Sequence, residues 1–170
     1  MPAKPPFDQL VKSHSREIFH YLYRLLGRTQ AAEDALQDAF LRAMRAYDRL
    51  EDQANTRAWL YRIAGNVART QLKRDQRTRI HGQLHDNLPD ASPSVAHQVE
   101  TRERLRALSQ AVQRLPHHQR AALVLRKYQG LSYAEIGLAL NCSPDSARAN
   151  VYQALKKLRR TFSQEVDNAG

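Results

Sequence analysis

The sequence is short of several things, and each shortage excludes something. There is one cysteine, Cys142, in 170 residues, so no internal disulfide can form and a reducing compartment is expected. Only 6 glycines and 7 prolines are present. With Ala, Leu, Gln and Arg frequent, that composition predicts a mostly helical chain. No run approaches the ~18 apolar residues needed to cross a bilayer. The first ten residues, MPAKPPFDQL, lack the apolar segment of a signal peptide. The chain is therefore expected in the cytoplasm and is not itself a membrane protein. Acid is scarce as well: 17 Asp and Glu stand against 27 Lys and Arg, a formal net charge of +10. Such an excess calls for a polyanionic partner, either nucleic acid or an anionic membrane surface. No Gly-rich phosphate loop or nucleophile–base pair is visible, so no catalytic residue, cofactor or metal is expected. His14 with His20, His81 with His85 and His117 with His118 each lack the further ligands a metal would need.

What is present is organised around Leu131 to Leu158, LSYAEIGLALNCSPDSARANVYQALKKL. Ser132 followed three residues later by Glu135 is a capping box, opening a short helix with Ile136, Ala139 and Leu140 on its apolar side. Asn141 closes it, since Asn tolerates the left-handed conformation of a sharp stop. Ser143 caps a second helix with Pro144 at its first position. Along that helix Ala147, Val151, Ala154, Leu155 and Leu158 recur at helical spacing, leaving Arg148, Asn150, Gln153 and Lys157 to face elsewhere. Two helices joined by a short turn, the second basic on its free side, describe a helix-turn-helix. Cys142 lies in the turn and reads as a small filler.

Upstream, Phe7 to Leu26 carries a broad apolar stripe and Gly27 ends it. A second helix runs from Thr29 or Gln30 to about Leu50, its expected core being Ala32, Leu36, Phe40, Met44 and Tyr47. Its other side shows Glu33, Asp34, Gln37 and Asp38, then Arg42, Arg45 and Arg49, an order that complements the helix dipole. In a basic chain this local acidic patch suits a protein partner that is itself basic. After the polar EDQANT comes RAWLYRIAGNVARTQLKRDQRTR, the most charged and most aromatic segment. Leu60, Ile63, Ala64 and Val67 are its buried stripe, and Trp59 is expected to join the core. Arg57, Tyr61, Arg62, Asn66, Arg69 and Lys73 remain free to track phosphates and hold bases. Gly65 permits close approach of either DNA or a neighbouring helix.

Residues 81–100 then have no Lys or Arg, and two prolines. This is linker chemistry. Helical pattern resumes at Thr101 with Leu105, Leu108, Val112 and Leu115. Pro116 breaks it, and a further helix reaches Tyr128 before the Gln129-Gly130 turn. The expected fold is all-α: a helical domain over 7–80, a flexible linker over 81–100, and a second helical domain over 101–163 that ends in the helix-turn-helix.

Three blocks in this order, AEDALQDAFLRAMRAYDRL, TRAWLYRIAGNVA and LPHHQRAALVLRKYQGLSYAEIGLALNCSPDSARANVYQALKKLR, resemble the extracytoplasmic-function (ECF) class of bacterial sigma factors from about Phe7 to Arg160. The resemblance implies a region 2-like first domain, a region 4-like second domain, and two partners, core RNA polymerase and promoter DNA. It places Glu33, Asp34, Gln37, Asp38, Phe40 and Leu41 in the motif that docks on the polymerase clamp helices. Asn55, Arg57, Tyr61, Arg62, Asn66, Arg69 and Lys73 fall where the melted −10 strand is held. Ser132, Tyr133, Arg148, Ala149, Asn150, Tyr152, Gln153 and Lys157 fall where the −35 duplex is read, with Ser132 and Tyr133 at a phosphate and Arg126 and Lys127 on the backbone. Family habit adds an anti-sigma factor, often membrane-linked, as a candidate third partner. The recognition helix departs from the family: Asn150 and Gln153 stand where basic residues are usual. Asn and Gln pair with adenine whereas Arg prefers guanine, so an unusual upstream preference is expected. Two rivals stay open at this point. One is a stand-alone helix-turn-helix repressor or activator, which leaves the basic aromatic helix without a task. The other is a metal-dependent nuclease, which needs a convergent acidic cluster.

Overall fold

The structure, a computed structural model, describes residues 3–52, 54–78 and 95–168. Seven helices are found among them: α1 Phe7–Leu26, α2 Thr29–Tyr47, α3 Thr56–Thr78, α4 Val95–Gln113, α5 His117–Lys127, α6 Tyr133–Leu140 and α7 Pro144–Asn168. The expected all-α fold is the one observed. Two boundaries move. α2 stops at Tyr47 rather than near Leu50, and α4 begins at Val95, inside the segment expected to be linker. Residues 79–94, with the His81 and His85 pair, lie outside the described residues.

α1 buries Leu10, Ile18, Tyr21, Leu22, Leu25 and Leu26, recurring at three- and four-residue steps on one side. It ends at Gly27, left-handed at φ 74°, whose N–H donates to the Tyr23 carbonyl. α2 meets α1 and α3 through small side chains: Ala31, Ala32, Ala35, Ala39 and Ala43, then Tyr47, are its buried residues. This corrects the expected stripe. Leu36 and Phe40 are half-buried, and Met44 is 52% exposed. Ala32 and Tyr47 are buried as expected, but between them the observed stripe lies one residue earlier, roughly 100° around the helix. Alanines allow a closer approach of the helix backbones than Leu, Phe and Met would, so the larger side chains are left at the margin. The Lys4 ammonium then ties down the end of α2, donating to the carbonyls of Tyr47 at 2.7 Å and Leu50 at 2.8 Å.

α5, α6 and α7 pack together around Ala121, Ala122, Val124, Leu125, Leu131, Ile136, Ala147, Val151 and Ala154. On α4, Ala111 and Val112 are buried, but Leu105 is 53% exposed and does not join the core as expected. The two bundles touch. α6 lies against α3, and α4 and α5 lie against α1. At that seam sits Arg120, the one buried charged side chain of the described residues, 7% exposed. Its Nη1 donates to the Leu25 carbonyl of α1 at 2.6 Å and to Gln113 Oε1 at 3.2 Å; its Nη2 donates to the carbonyls of Gln113 and of Leu115, the latter at 3.1 Å. Gln113 Nε2 in turn donates to the Arg24 carbonyl at 2.7 Å. One guanidinium thus satisfies carbonyls at the ends of both α1 and α4.

Candidate polymerase and nucleic-acid interfaces

The helix-turn-helix forms as its sequence dictates. Ser132 Oγ accepts from the Glu135 N–H at 3.2 Å, and Glu135 Oε2 accepts from the Ser132 N–H at 2.8 Å, completing the capping box. These hydrogen bonds to the Ser132 backbone and side chain hold the Glu135 carboxyl below its ordinary range. Asn141 takes φ 54°, and Ser143 Oγ accepts from the Ser146 N–H at 3.1 Å to open α7. The turn presses on Gly137, where a Cβ would lie 2.6 Å from the Cys142 carbonyl oxygen. Only glycine fits there without a shift of backbone. Cys142 is half-buried, and burial pushes its thiol up, away from the thiolate form.

Ala147, Val151 and Ala154 anchor α7, so Arg148, Ala149, Tyr152, Gln153 and Lys157 stand exposed on its other side. Asn150 is half-buried and donates from Nδ2 to the Ser146 carbonyl at 3.0 Å. One N–H of that amide is thereby committed, while its second N–H and its oxygen make no bond among the described residues that competes with a base edge. Ser132 uses its N–H and one acceptor site of its hydroxyl in the capping box, and keeps the hydroxyl hydrogen as a donor. Arg126, expected to lie along a DNA backbone, donates from Nη1 to the Leu131 carbonyl at 3.0 Å and lies over the Tyr133 ring at 4.6 Å.

On α2, Glu33, Asp34, Gln37 and Leu41 are exposed, and Asp38 and Phe40 are half-buried. Arg42 grips Asp38 with two bonds, 2.9 and 3.1 Å, and Gln30 reaches Asp34 at 3.1 Å. Leu41 at 44% and Met44 at 52% exposure put apolar surface beside these acids. Sequence periodicity alone missed Met44 here, because it served the core pattern equally well.

The basic face of α3 divides. Arg62, Asn66, Arg69 and Lys73 are exposed. Arg57 and Tyr61 are drawn into the seam between the bundles, and Asn55 stands exposed at its edge. Asn55 caps α3, its Oδ1 accepting from the Ala58 N–H at 2.9 Å, while its Nδ2 lies 3.5 Å from Glu135 Oε1. Arg57 donates to both oxygens of Glu17 at 2.8–3.2 Å and to the Gln129 carbonyl at 3.0 Å. Tyr61 is fully buried, its ring edge-on to Tyr21 at 5.1 Å. Its hydroxyl lies 3.0 Å from Glu17 Oε2 and 3.1 Å from Gln129 Oε1. Burial, and then the Glu17 charge, raise the Tyr61 phenol far above its ordinary range. Burial would raise the Glu17 carboxyl, but bonds from Arg57, His14 and Tyr61 and the guanidinium charge outweigh it and hold the carboxyl below its usual value. His14 is half-buried with Nδ1 2.5 Å from Glu17 Oε1. Beside this network lies a cleft of about 530 Å³ bordered by His14, Glu17, Arg24 and Tyr128. Trp59 is half-buried and packs on the core next to Tyr47, 6.0 Å between ring centres.

Residues 10–78 match the Sigma-70 region 2 family and residues 105–158 match Sigma-70, region 4. The ECF RNA polymerase sigma factor SigM of Mycobacterium tuberculosis is 37% identical over 157 residues, 91% of this chain and 76% of that one. The chain belongs to the ECF sigma factors. As a sigma factor it binds core RNA polymerase and directs promoter-specific initiation of transcription. The ECF sigma factor SigE of Mycolicibacterium smegmatis is 32% identical over 92% of the chain, which spans 62% of that longer relative. In fold, the chain is similar to the sigma factor RpoE of Bartonella quintana, solved in complex with the anti-sigma factor NepR. The TM-score is 0.74 at 22% identity, covering 92% of this chain and 96% of that one. Among the described residues, no helix is long and apolar enough to cross a membrane.

Proposed function

We propose that this sigma factor works through three separate surfaces and has no chemical step of its own. The first, on α2, is the acidic and apolar patch of Glu33, Asp34, Gln37, Asp38, Phe40 and Leu41, extended by Met44, which docks on core polymerase. Apolar side chains ringed by acid fit a basic protein surface better than a phosphate backbone. The second is the α3 face of Asn55, Arg57, Tyr61, Arg62, Asn66, Arg69 and Lys73, which holds the melted −10 strand. The third is α7 with Arg148, Ala149, Asn150, Tyr152, Gln153 and Lys157, together with Ser132 and Tyr133, which reads the −35 duplex in the major groove. The functional domains are 7–80 and 101–163, joined through 81–100. The site of action is the cytoplasm, where polymerase and promoter are. The Bartonella quintana neighbour is bound to an anti-sigma factor, and a partner of that kind would hold this chain in reserve.

The observation that carries this reading is the division of α3, with exposed cations at one end and Arg57 and Tyr61 closed against the helix-turn-helix domain at the other. The −10 and −35 elements lie about 25 base pairs apart, which at about 3.4 Å per pair is about 85 Å. Bundles in contact cannot engage both. The closed arrangement is that of the free protein, and engagement on polymerase parts the seam at Gln129. Run-off transcription with purified core polymerase over a promoter library tests the reading. Specific starts that depend on this protein are expected. A protein that neither binds core nor starts transcripts would return the stand-alone repressor to first place.

A further inference from the structure

Tyr133 opens α6 as the residue after the Ser132 cap, and its half-buried ring has two cations against it. The Arg126 guanidinium carbon, from the end of α5, is 4.6 Å from the ring centre. The Arg148 carbon, from the second turn of α7, is 5.1 Å away. Arg126 is fixed a second time by its bond to the Leu131 carbonyl at 3.0 Å. A ring seated at a capped helix start, with one arginine anchored beside it, therefore offers the other arginine a defined resting place.

We propose that Tyr133 is a positioning residue for −35 recognition, holding Arg148 through its ring rather than touching the DNA phosphate through its hydroxyl. The inference rests on the reading of α7 as the −35 helix. Arg148 is exposed, and an unrestrained arginine side chain loses much rotamer freedom when it grips a base edge. A guanidinium already resting on an aromatic face has lost part of that freedom before DNA arrives, and the ring quadrupole attracts its charge to that face. Arginine reads guanine with two parallel bonds whose geometry is exacting. Holding its plane thus favours the correct base over the wrong ones, whereas a phosphate contact would strengthen all sequences alike. The neighbouring Asn150 has one N–H bonded back to the Ser146 carbonyl, and Arg148 is the charged donor of this turn.

The test uses holoenzyme assembled from core polymerase and the full chain, with affinity measured for promoters carrying each base at each −35 position. Arg148→Ala is expected to flatten preference at one or two positions. Tyr133→Leu is expected to flatten the same positions by about two- to fivefold, the factor corresponding to an exposed cation–π contact, with an unchanged slope of affinity against salt. Tyr133→Phe and Tyr133→Trp keep the ring and are expected to keep the preference, so folding of the leucine variant is not the sole support. A uniform loss across all sequences in Tyr133→Leu, or loss of affinity in Tyr133→Phe, would assign Tyr133 to phosphate binding or scaffold and overturn the proposal. If Arg148→Ala alters no base preference, the −35 reading of α7 fails first, and the proposal with it.

Discussion

Arg57 donates from Nη2 to the backbone carbonyl of Gln129 at 3.0 Å across 72 residues of sequence, and the same nitrogen meets Glu17 Oε2 at 2.8 Å. A side chain expected to hold promoter DNA is thereby engaged by both bundles. Glu17 is the hub, since it also receives the Tyr61 hydroxyl. Replacing it, Glu17→Gln, removes the charge that holds Arg57 while keeping the shape. A stability loss of about 1–2 kcal/mol is expected in urea unfolding, modest because Arg57 keeps access to water. The released Arg57 should at the same time raise the affinity of the free protein for single-stranded DNA, measured by fluorescence anisotropy. A variant that loses stability without gaining affinity would show that the seam does not mask the −10 face.

Acid should weaken the fold in two steps of the same sign but different range. His117 is half-buried at the start of α5; burial, then the charges of His118, Arg120, Arg69 and Lys73, push its pKa down to about 4. In the unfolded chain it takes up its proton near 6.5, so stability falls as pH drops from 6.5 toward 4, by on the order of 3 kcal/mol at most. Glu17 acts lower. Its carboxyl is held below 4.5, so its contribution is complete above that value and is lost as pH falls through the lowered one. Urea midpoints measured from pH 7.5 to 3.5 should decline throughout, and His117→Gln should flatten only the upper segment.

Gly137 carries the tightest approach in the helix-turn-helix. A methyl group there would meet the Cys142 carbonyl oxygen at 2.6 Å, and neither side of that contact is a movable side chain. Gly137→Ala should therefore cost about 2–3 kcal/mol despite its better helix propensity. Promoter binding that depends on the −35 element should fall, whereas binding to core polymerase through α2 should persist. Calorimetry and a core-binding assay together separate these outcomes.

The helix-turn-helix was legible from sequence because its signals are local: a capping box, an Asn stop and a Ser-Pro start each act within a few residues. Helix order and class were legible for the same reason. The seam was not. Arg120, in HHQRAALV, reads as one more surface cation, yet it is buried and bonds Leu25, 95 residues earlier. Nothing in its neighbourhood encodes a distant carbonyl. Tyr61 reads as an aromatic free for bases because it sits among arginines, and its partners come from two other segments: Glu17 and Tyr21 from α1 and Gln129 from the turn after α5. The α2 stripe failed for a different reason. Periodicity ranks Leu, Phe and Met above Ala as core, but the closeness of α1 and α3 selects the smaller residue, a property of the neighbours rather than of the helix. The same error hid Met44 as exposed apolar surface beside the α2 acids.

Gly65 and Tyr21 form the last testable pair. Two outcomes were open for this glycine, approach of DNA or approach of a neighbouring helix, and it is the helix: a Cβ on Gly65 would stand 3.0 Å from the Tyr21 hydroxyl oxygen. That hydroxyl is buried and has no hydrogen-bond partner among the described residues, and burial raises its phenol far above the ordinary range. Two costs therefore coexist, a helix glycine worth about 1 kcal/mol against alanine and a buried hydroxyl left unpaired, worth about 1–3 kcal/mol. Tyr21→Phe should stabilise the protein by about 1 kcal/mol, since the ring and its edge-on contact with Tyr61 stay. Gly65→Ala alone should be neutral to destabilising, because the gain in propensity is spent on displacing a hydroxyl locked in the core. In the double variant the hydroxyl is gone and the methyl has space, so the alanine should recover its full gain. Chemical denaturation of all four proteins measures the coupling, expected at about 1 kcal/mol in favour of the pair. Additive effects would mean that Tyr21 yields freely to the methyl group, and that close packing of α1 on α3 is not why glycine stands at 65.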